Sequence, residues 1–136
     1  MSALSVSRCL LFCLPLIIVS CSKPTDQSSA PVINFITTAG HIYSNATVKR
    51  DSTVIIGFEV TKTNNDLIHY INIFCSYNSR PDTLIEQITL LPGTGTSYTH
   101  DNYITTRDSS GTEKYTFEAN SFLGARSSIN LTLTVP

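Results

Sequence analysis

Apolar and polar residues alternate along most of the chain after position 31. From Ile129 to Val135 every odd position is apolar and every even position is polar, and Val54, Ile56 and Phe58 repeat the same spacing. A period of two is typical of antiparallel strands that bury one face. The pattern predicts seven strands, at residues 32–37, 53–60, 67–77, 83–91, 97–106, 115–119 and 129–135.

Turn-forming residues separate these runs, and no stretch after residue 21 shows the 3.6-residue spacing of an amphipathic helix. Seven short strands in about 105 residues predict an all-β fold, an antiparallel β-sandwich spanning 32–136. Side chains on the apolar faces should share one interior. The predicted core comprises Val54, Ile56, Phe58, Ile71, Ile73, Tyr115, Phe117, Leu131 and Leu133.

Residues 1–20 have the layout of a signal peptide rather than of a folded segment. Arg8 is followed by 11 apolar or small residues at 9–19, too few for the roughly 20 that span a membrane. The run ends in Ile18-Val19-Ser20-Cys21, which resembles a bacterial lipobox. The resemblance implies cleavage before Cys21 and attachment of lipid to its sulfur. The alternatives are an ordinary secretory signal and an uncleaved anchor.

Residues 21–31 then form a lipidated cysteine and a flexible linker, polar and containing two prolines. Two or three acyl chains would hold the protein firmly to a membrane. Ser22 follows the cysteine, and in the enterobacterial sorting pattern a residue other than aspartate favours the outer membrane. We therefore expect a lipid anchor in a bacterial cell envelope, in the outer membrane, with either leaflet possible.

The amino-acid composition argues against several classes of function. The formal charge is −1, charged residues are 14% of the chain, and no basic block exists, which argues against a nucleic-acid partner. Of the four cysteines, Cys9 and Cys13 leave with the signal and Cys21 carries lipid. Cys75 then has no intrachain partner, and its strand position predicts a buried, inert thiol.

No motif predicts catalysis, a cofactor or a metal. His41, His69 and His100 lack ligand spacing, and the sequence contains neither a GxSxG elbow nor a GxGxxG or phosphate-binding loop. Asn64-Asn65-Asp66 could supply calcium ligands, but residues of this type more often form turns. These observations predict a protein that is not an enzyme.

The end of the chain resembles the last two strands of bacterial Ig-like domains. Residues 111–119 and 129–135 carry the resemblance, with Tyr115 at the position of the tyrosine corner and Phe117 where antibody domains have a cysteine. The domain as a whole is similar to small Ig-like lipoproteins of Bacteroidota. It lacks the tryptophan and the disulfide of antibody domains, so the resemblance implies the broad Ig-like or fibronectin-like class.

This resemblance implies a lipid-anchored, non-enzymatic binding module that presents a surface to an envelope protein or a glycan, in adhesion or polysaccharide uptake. The alternative is a structural spacer or accessory subunit of an envelope assembly, without a ligand of its own.

Four residues are candidates for partner binding besides the lipid attachment at Cys21. Phe122 and Leu123 occupy a predicted hairpin tip at the end where the linker enters. The first interpretation is that one of them folds back to cap the core. The second is that the tip faces the membrane or a partner embedded in it. The opposite end, which carries Tyr43 and Arg80 together with Arg107, would then point outward, away from the membrane.

Overall fold

The computed structural model describes residues 29–93 and 95–136, and every regular element in that part of the chain is a β-strand. The predicted signal peptide and Cys21 lie outside the described residues. The strands are β1 (Val32–Phe35), β2 (Ala46–Thr47), β3 (Thr53–Thr61), β4 (Ile68–Tyr77), β5 (Thr83–Thr89), β6 (Ser97–Thr105), β7 (Gly111–Ser121) and β8 (Arg126–Val135).

The strands form two sheets that face each other. One has three strands in the order β1-β3-β6, and the other has five in the order β2-β8-β7-β4-β5. All neighbours are antiparallel except β2, which runs parallel to β8. With β3 and β6 in one sheet and β4, β7 and β8 in the other, this is the arrangement of an Ig-like sandwich.

The predicted antiparallel β-sandwich is therefore confirmed, with eight strands instead of seven. The additional strand is β2, whose two residues pair with Leu133 and Thr134. Two residues are too few for an alternating pattern, so the sequence carries no signal for this strand. The other strands lie within a few residues of their predicted bounds, except β7, which is longer at both ends than the predicted 115–119.

The period-two faces meet in one core between the sheets. Eight of the nine predicted core residues are buried, and Val54 packs against the core while partly exposed. Phe117 of β7 reaches the other sheet, where its ring centroid lies 5.1 Å from that of Phe58 and 5.8 Å from that of Phe35. Cys75 is buried on the same face, as predicted.

A polar contact joins the sheets at the β5 edge. The Asn102 amide on β6 donates a 2.8 Å hydrogen bond to the Glu86 carboxylate on β5, and Asn102 is itself buried. Because each polar group has a partner, the sheets can close here without leaving an amide unsatisfied.

Strand direction gives the sandwich two distinct ends. At the first, which we call the tether end, the start of β1 lies beside the end of β3 and beside the β7–β8 hairpin. At the second, which we call the distal end, β4 turns into β5 and β7 begins. The ten residues of β4 separate the two ends by about 30 Å.

Candidate functional site

The residues preceding β1 are bonded to the β3–β4 loop and to the start of β8. The Thr63 hydroxyl donates to the Ala30 carbonyl at 2.9 Å, and the Asn64 amide donates to the Ser29 hydroxyl at 2.8 Å. On the other side, the Ser127 hydroxyl donates to the Pro31 carbonyl. The linker therefore enters the domain at this end, as predicted.

The hairpin tip between β7 and β8 exposes two large apolar side chains beside this entry point. Phe122 is 43% exposed and Leu123 is 52% exposed. The Phe122 ring stacks on His69 at a centroid distance of 4.2 Å, and its outer part faces solvent. Neither residue is a buried cap of the core, so the first interpretation of the sequence was wrong.

Asp66 holds this hairpin in place. Its Oδ1 accepts a hydrogen bond from the Leu123 backbone N–H at 3.2 Å, and the Phe122 N–H donates to the Leu67 carbonyl at 3.0 Å. Gly124 has a φ of 86°, a left-handed value that glycine adopts without steric cost. The tip is thus fixed in position although its side chains are exposed.

The turn that contains Asp66 behaves as the sequence predicted for turn-forming residues. Thr63 and Asp66 form an isolated antiparallel bridge, and Asn64 adopts a left-handed φ of 58°. The Asp66 Oδ2 atom is buried and has no hydrogen-bond partner among the described residues.

At the distal end, the β4–β5 connection is a tight turn with two left-handed residues. Asn78 and Ser79 have φ values of 48° and 60°, and the Arg80 N–H donates to the Tyr77 carbonyl at 3.0 Å. The Asn78 side chain accepts a 2.8 Å hydrogen bond from the Thr112 N–H at the start of β7. This contact fixes the turn against the neighbouring strand.

A polar pocket of about 290 Å³ opens beside this turn, on the outer face of the five-stranded sheet. Its lining combines hydroxyl groups with two cationic side chains: Ser76, Ser79, Arg80, Thr112, Lys114 and Thr132. Lys114 pairs with Asp82 at 3.2 Å, and both side chains are partly exposed. Of the residues that line the pocket, sequence reasoning had singled out Arg80 alone.

The candidate residues do not form one site. Tyr43 is exposed between β1 and β2 near the start of β3, and Arg80 lies in the β4–β5 turn, both at the distal end. Phe122 and Leu123 lie at the tether end, as described above. Cys21 lies outside the described residues, so its lipidation remains a prediction.

Arg107 lies at the distal end, where the sequence placed it, and its side chain is used by a buried partner. Its guanidinium lies 4.5 Å above the Tyr77 ring, and its Nε is 3.1 Å from Oε1 of the fully buried Glu113. The Tyr115 hydroxyl donates to the other Glu113 oxygen at 2.8 Å. A buried carboxylate requires such partners, and this requirement decides the position of Arg107.

The Glu113 carboxylate also explains why Tyr115 differs from a tyrosine corner. In that motif the hydroxyl bonds to backbone a few residues upstream, whereas here it bonds to a side chain on its own strand. Burial, together with the hydrogen bond to Glu113, raises the pKa of Tyr115 far above its usual range. Burial likewise raises the pKa of the Cys75 thiol.

The three histidines are distributed over separate strands and loops. His41 bonds to Asp101 at 2.9 Å, His69 stacks on Phe122, and His100 lies beside Phe58 and Tyr98. Among residues 29–93 and 95–136, no three histidine, cysteine, aspartate or glutamate side chains are grouped as metal ligands. In the same residues no helix is long and apolar enough to cross a membrane.

No protein-family model and no curated protein matches this sequence. Among solved structures, the fold is similar to that of the superoxide reductase (neelaredoxin) from Ignicoccus hospitalis, with a TM-score of 0.51 and 13% sequence identity. The similarity covers 79% of this chain and 81% of that chain. At 13% sequence identity, this similarity supports a shared fold.

This finding overturns the functional assignment that was drawn from the Ig-like resemblance. We predicted a non-enzymatic binding module for a protein or glycan, or alternatively a structural spacer. The similar structure is named as an enzyme, so a sandwich of this shape does not specify a binding module or a spacer. Both assignments are therefore withdrawn.

Proposed function

We propose that this chain is a lipid-anchored protein of a bacterial envelope that docks the tether end of its sandwich on the membrane surface. One observation carries the proposal: the linker enters the domain at the end that exposes Phe122 and Leu123. Lipid on Cys21 and the apolar hairpin tip would then contact the same bilayer. Among the described residues we assign no catalytic side chain.

The length of the linker supports this arrangement. Cys21 lies eight residues before Ser29, a reach of at most about 29 Å even when fully extended. A lipid on Cys21 would therefore keep the tether end close to the bilayer. The short reach raises the local concentration of the hairpin tip at the membrane, so a weak apolar contact would suffice for docking.

The chemistry of the tip also supports contact with lipid. Moving the exposed parts of Phe122 and Leu123 out of water would gain on the order of 2 kcal/mol for the pair. Lys62 and Arg126 flank the same end, where cationic side chains favour anionic headgroups. The Asp66 contact holds the tip in place before docking, which lowers the entropic cost.

A single experiment tests both the anchor and the docking. The full chain is expressed in a Gram-negative host, purified, and inserted into nanodiscs with nitroxide-labelled headgroups, and amide signal loss is measured by NMR. We expect the mature N-terminal peptide to carry acyl mass on Cys21, and amides 122–125 to lose more signal than those of the 78–82 turn. Cys21→Ala should abolish the acyl mass, whereas Cys13→Ala should not.

A matched pair of variants separates docking from anchoring. Phe122→Ser with Leu123→Ser should at least halve the signal loss at the tip while the acyl mass is unchanged. Leu84→Ser with Ile85→Ser removes apolar side chains of similar exposure, 49% and 48%, from the distal end and should have no such effect. Unacylated wild-type protein, or equal signal loss at both ends, would contradict the proposal.

A further inference from the structure

The polar pocket at the distal end concentrates hydrogen-bond donors within a small volume. Three hydroxyl side chains, Ser79, Thr112 and Thr132, share the lining with the cationic Arg80 and Lys114. The Ser76 hydroxyl is already used, since it donates to the Arg80 carbonyl. The pocket lies on the outer face of the sheet, so solutes can enter from solvent.

Arg80 is the distinctive residue of this pocket. Among the described residues its guanidinium has neither an ion pair nor a hydrogen-bond partner, whereas Arg107 and Arg126 each lie near a glutamate. Its backbone is nevertheless fixed, because its N–H bonds to Tyr77 and its carbonyl accepts from Ser76. An arginine side chain with five unused donors is suited to recognising a planar pair of anionic oxygens.

The charge balance also favours an anion. Arg80 and Lys114 contribute two positive charges, and Asp82 on the rim contributes one negative charge, which leaves a net charge of +1. A volume of 290 Å³ equals roughly ten waters at ~30 Å³ each, enough for a small oxyanion with part of its hydration. Hydroxyl groups can complete the coordination of oxygens that the cations do not reach.

We infer that this pocket binds a small oxyanion of the phosphate or sulfate type. The anion accepts hydrogen bonds from the Arg80 guanidinium and the Lys114 ammonium, with the pocket hydroxyls as further donors. Asp82 competes with the anion for Lys114, because it pairs with the same ammonium at 3.2 Å. This inference goes beyond the proposed membrane docking and does not depend on it.

The test must report on individual residues of the pocket, because phosphate and sulfate stabilise many proteins without binding, simply by being excluded from their surfaces. The full chain in detergent micelles is titrated with inorganic phosphate and, separately, with sulfate, while sodium chloride keeps the ionic strength constant. NMR amide shifts at Ser79, Thr112 and Thr132 should change and saturate. Sodium chloride alone should not reproduce these changes.

Three substitutions make the result specific. Arg80→Gln should weaken the apparent affinity at least tenfold, and Asp82→Asn should strengthen it several-fold by releasing Lys114. Arg50→Gln is the matched control, since it removes another exposed arginine that does not line the pocket and should leave the affinity unchanged. Spectra away from the pocket verify that each variant is folded.

Shifts that do not saturate, that appear equally with chloride, or that persist at wild-type affinity in Arg80→Gln would overturn the inference. Weaker binding in Asp82→Asn would also contradict it, because the carboxylate would then be a ligand rather than a competitor.

Discussion

Glu113 shows how a single buried charge organises its neighbours. The alternation of β7 directs its side chain inward together with Tyr115 and Phe117, and no part of it reaches solvent. Such a carboxylate is tolerated only when charge and hydrogen bonds compensate for the lost water. Arg107 supplies the charge, and the Arg107 backbone N–H and the Tyr115 hydroxyl supply hydrogen bonds of 2.9 and 2.8 Å.

Stability should fall in alkaline solution because of protons held by Tyr115 and Cys75. The pKa of each group is raised in the folded state, so the unfolded chain loses these protons at lower pH than the folded one. Their contribution is complete below the unfolded pKa values and is lost as pH rises toward the folded ones. Above about pH 10, Tyr115→Phe should flatten the decline by up to ~1.4 kcal/mol per pH unit.

Urea unfolding at intervals between pH 8 and pH 11 measures this slope. Tyr115→Phe also loses a hydrogen bond to Glu113, which lowers stability at every pH, so the slopes are compared and not the absolute values. Parallel curves for the variant and the wild-type protein would contradict the assignment of the proton to Tyr115.

At the level of elements, His41 of the long β1–β2 connection packs closely over Gly57 of β3 and holds the connection against the sheet. Gly57 lies directly opposite Asp101 on β6, and the Asp101 carboxylate extends across it to bond His41 at 2.9 Å. His41 also bonds to Thr38 at 2.9 Å, so both ring nitrogens have a partner. A Cβ at position 57 would come within 2.6 Å of the His41 ring and 2.8 Å of the carboxylate.

Gly57→Ala should therefore cost about 1–3 kcal/mol of unfolding free energy, as is typical of overpacking. The added methyl would displace His41 and release the connection from the sheet. Chemical denaturation measures the cost, and Glu59→Ala, on the same exposed strand face, should stay within about 0.5 kcal/mol of wild type. In a His41→Ala background the penalty should shrink, and an unchanged penalty would show that His41 is not the obstacle.

For the whole molecule, the aromatic contact between the sheets is the central packing interaction. Phe117 contacts Phe58 on β3 and Phe35 on β1, so it joins the five-stranded sheet to the three-stranded one. With no disulfide available to Cys75 within the described residues, this core has to hold the sandwich together.

Phe117→Ala should lower the unfolding free energy by about 3–5 kcal/mol, since it leaves a cavity that the strands cannot close. A loss of that size is a large share of the stability of a small domain. Thermal and urea unfolding measure it. Phe122→Ala removes the same ring from a half-exposed position and should cost much less, whereas equal losses would indicate that Phe117 is not central to the core.

The two proposed activities lie at opposite ends of the molecule. Membrane docking uses the hairpin tip beside the linker, and the oxyanion pocket opens about 30 Å away along β4. An anchored domain of this shape would present the pocket to the surrounding solution rather than to the bilayer.

The alternation of apolar and polar residues was sufficient to predict seven strands, their buried faces and the sandwich, because strand periodicity is a local property that each segment carries alone. It was insufficient for β2, which has two residues, and for Glu113, whose burial depends on partners elsewhere in the fold. The Ig-like resemblance led to a binding-module assignment that the structural comparison overturned, since a sandwich supports many activities.

Only the tertiary structure brought Arg80, Lys114 and Thr132 into one pocket and turned Arg107 inward. The three pocket residues lie on different strands and loops, more than 15 positions apart along the chain, and no local pattern links them. The physical reason is that a strand's own sequence determines which face is buried, whereas a site depends on which strands become neighbours and in what register.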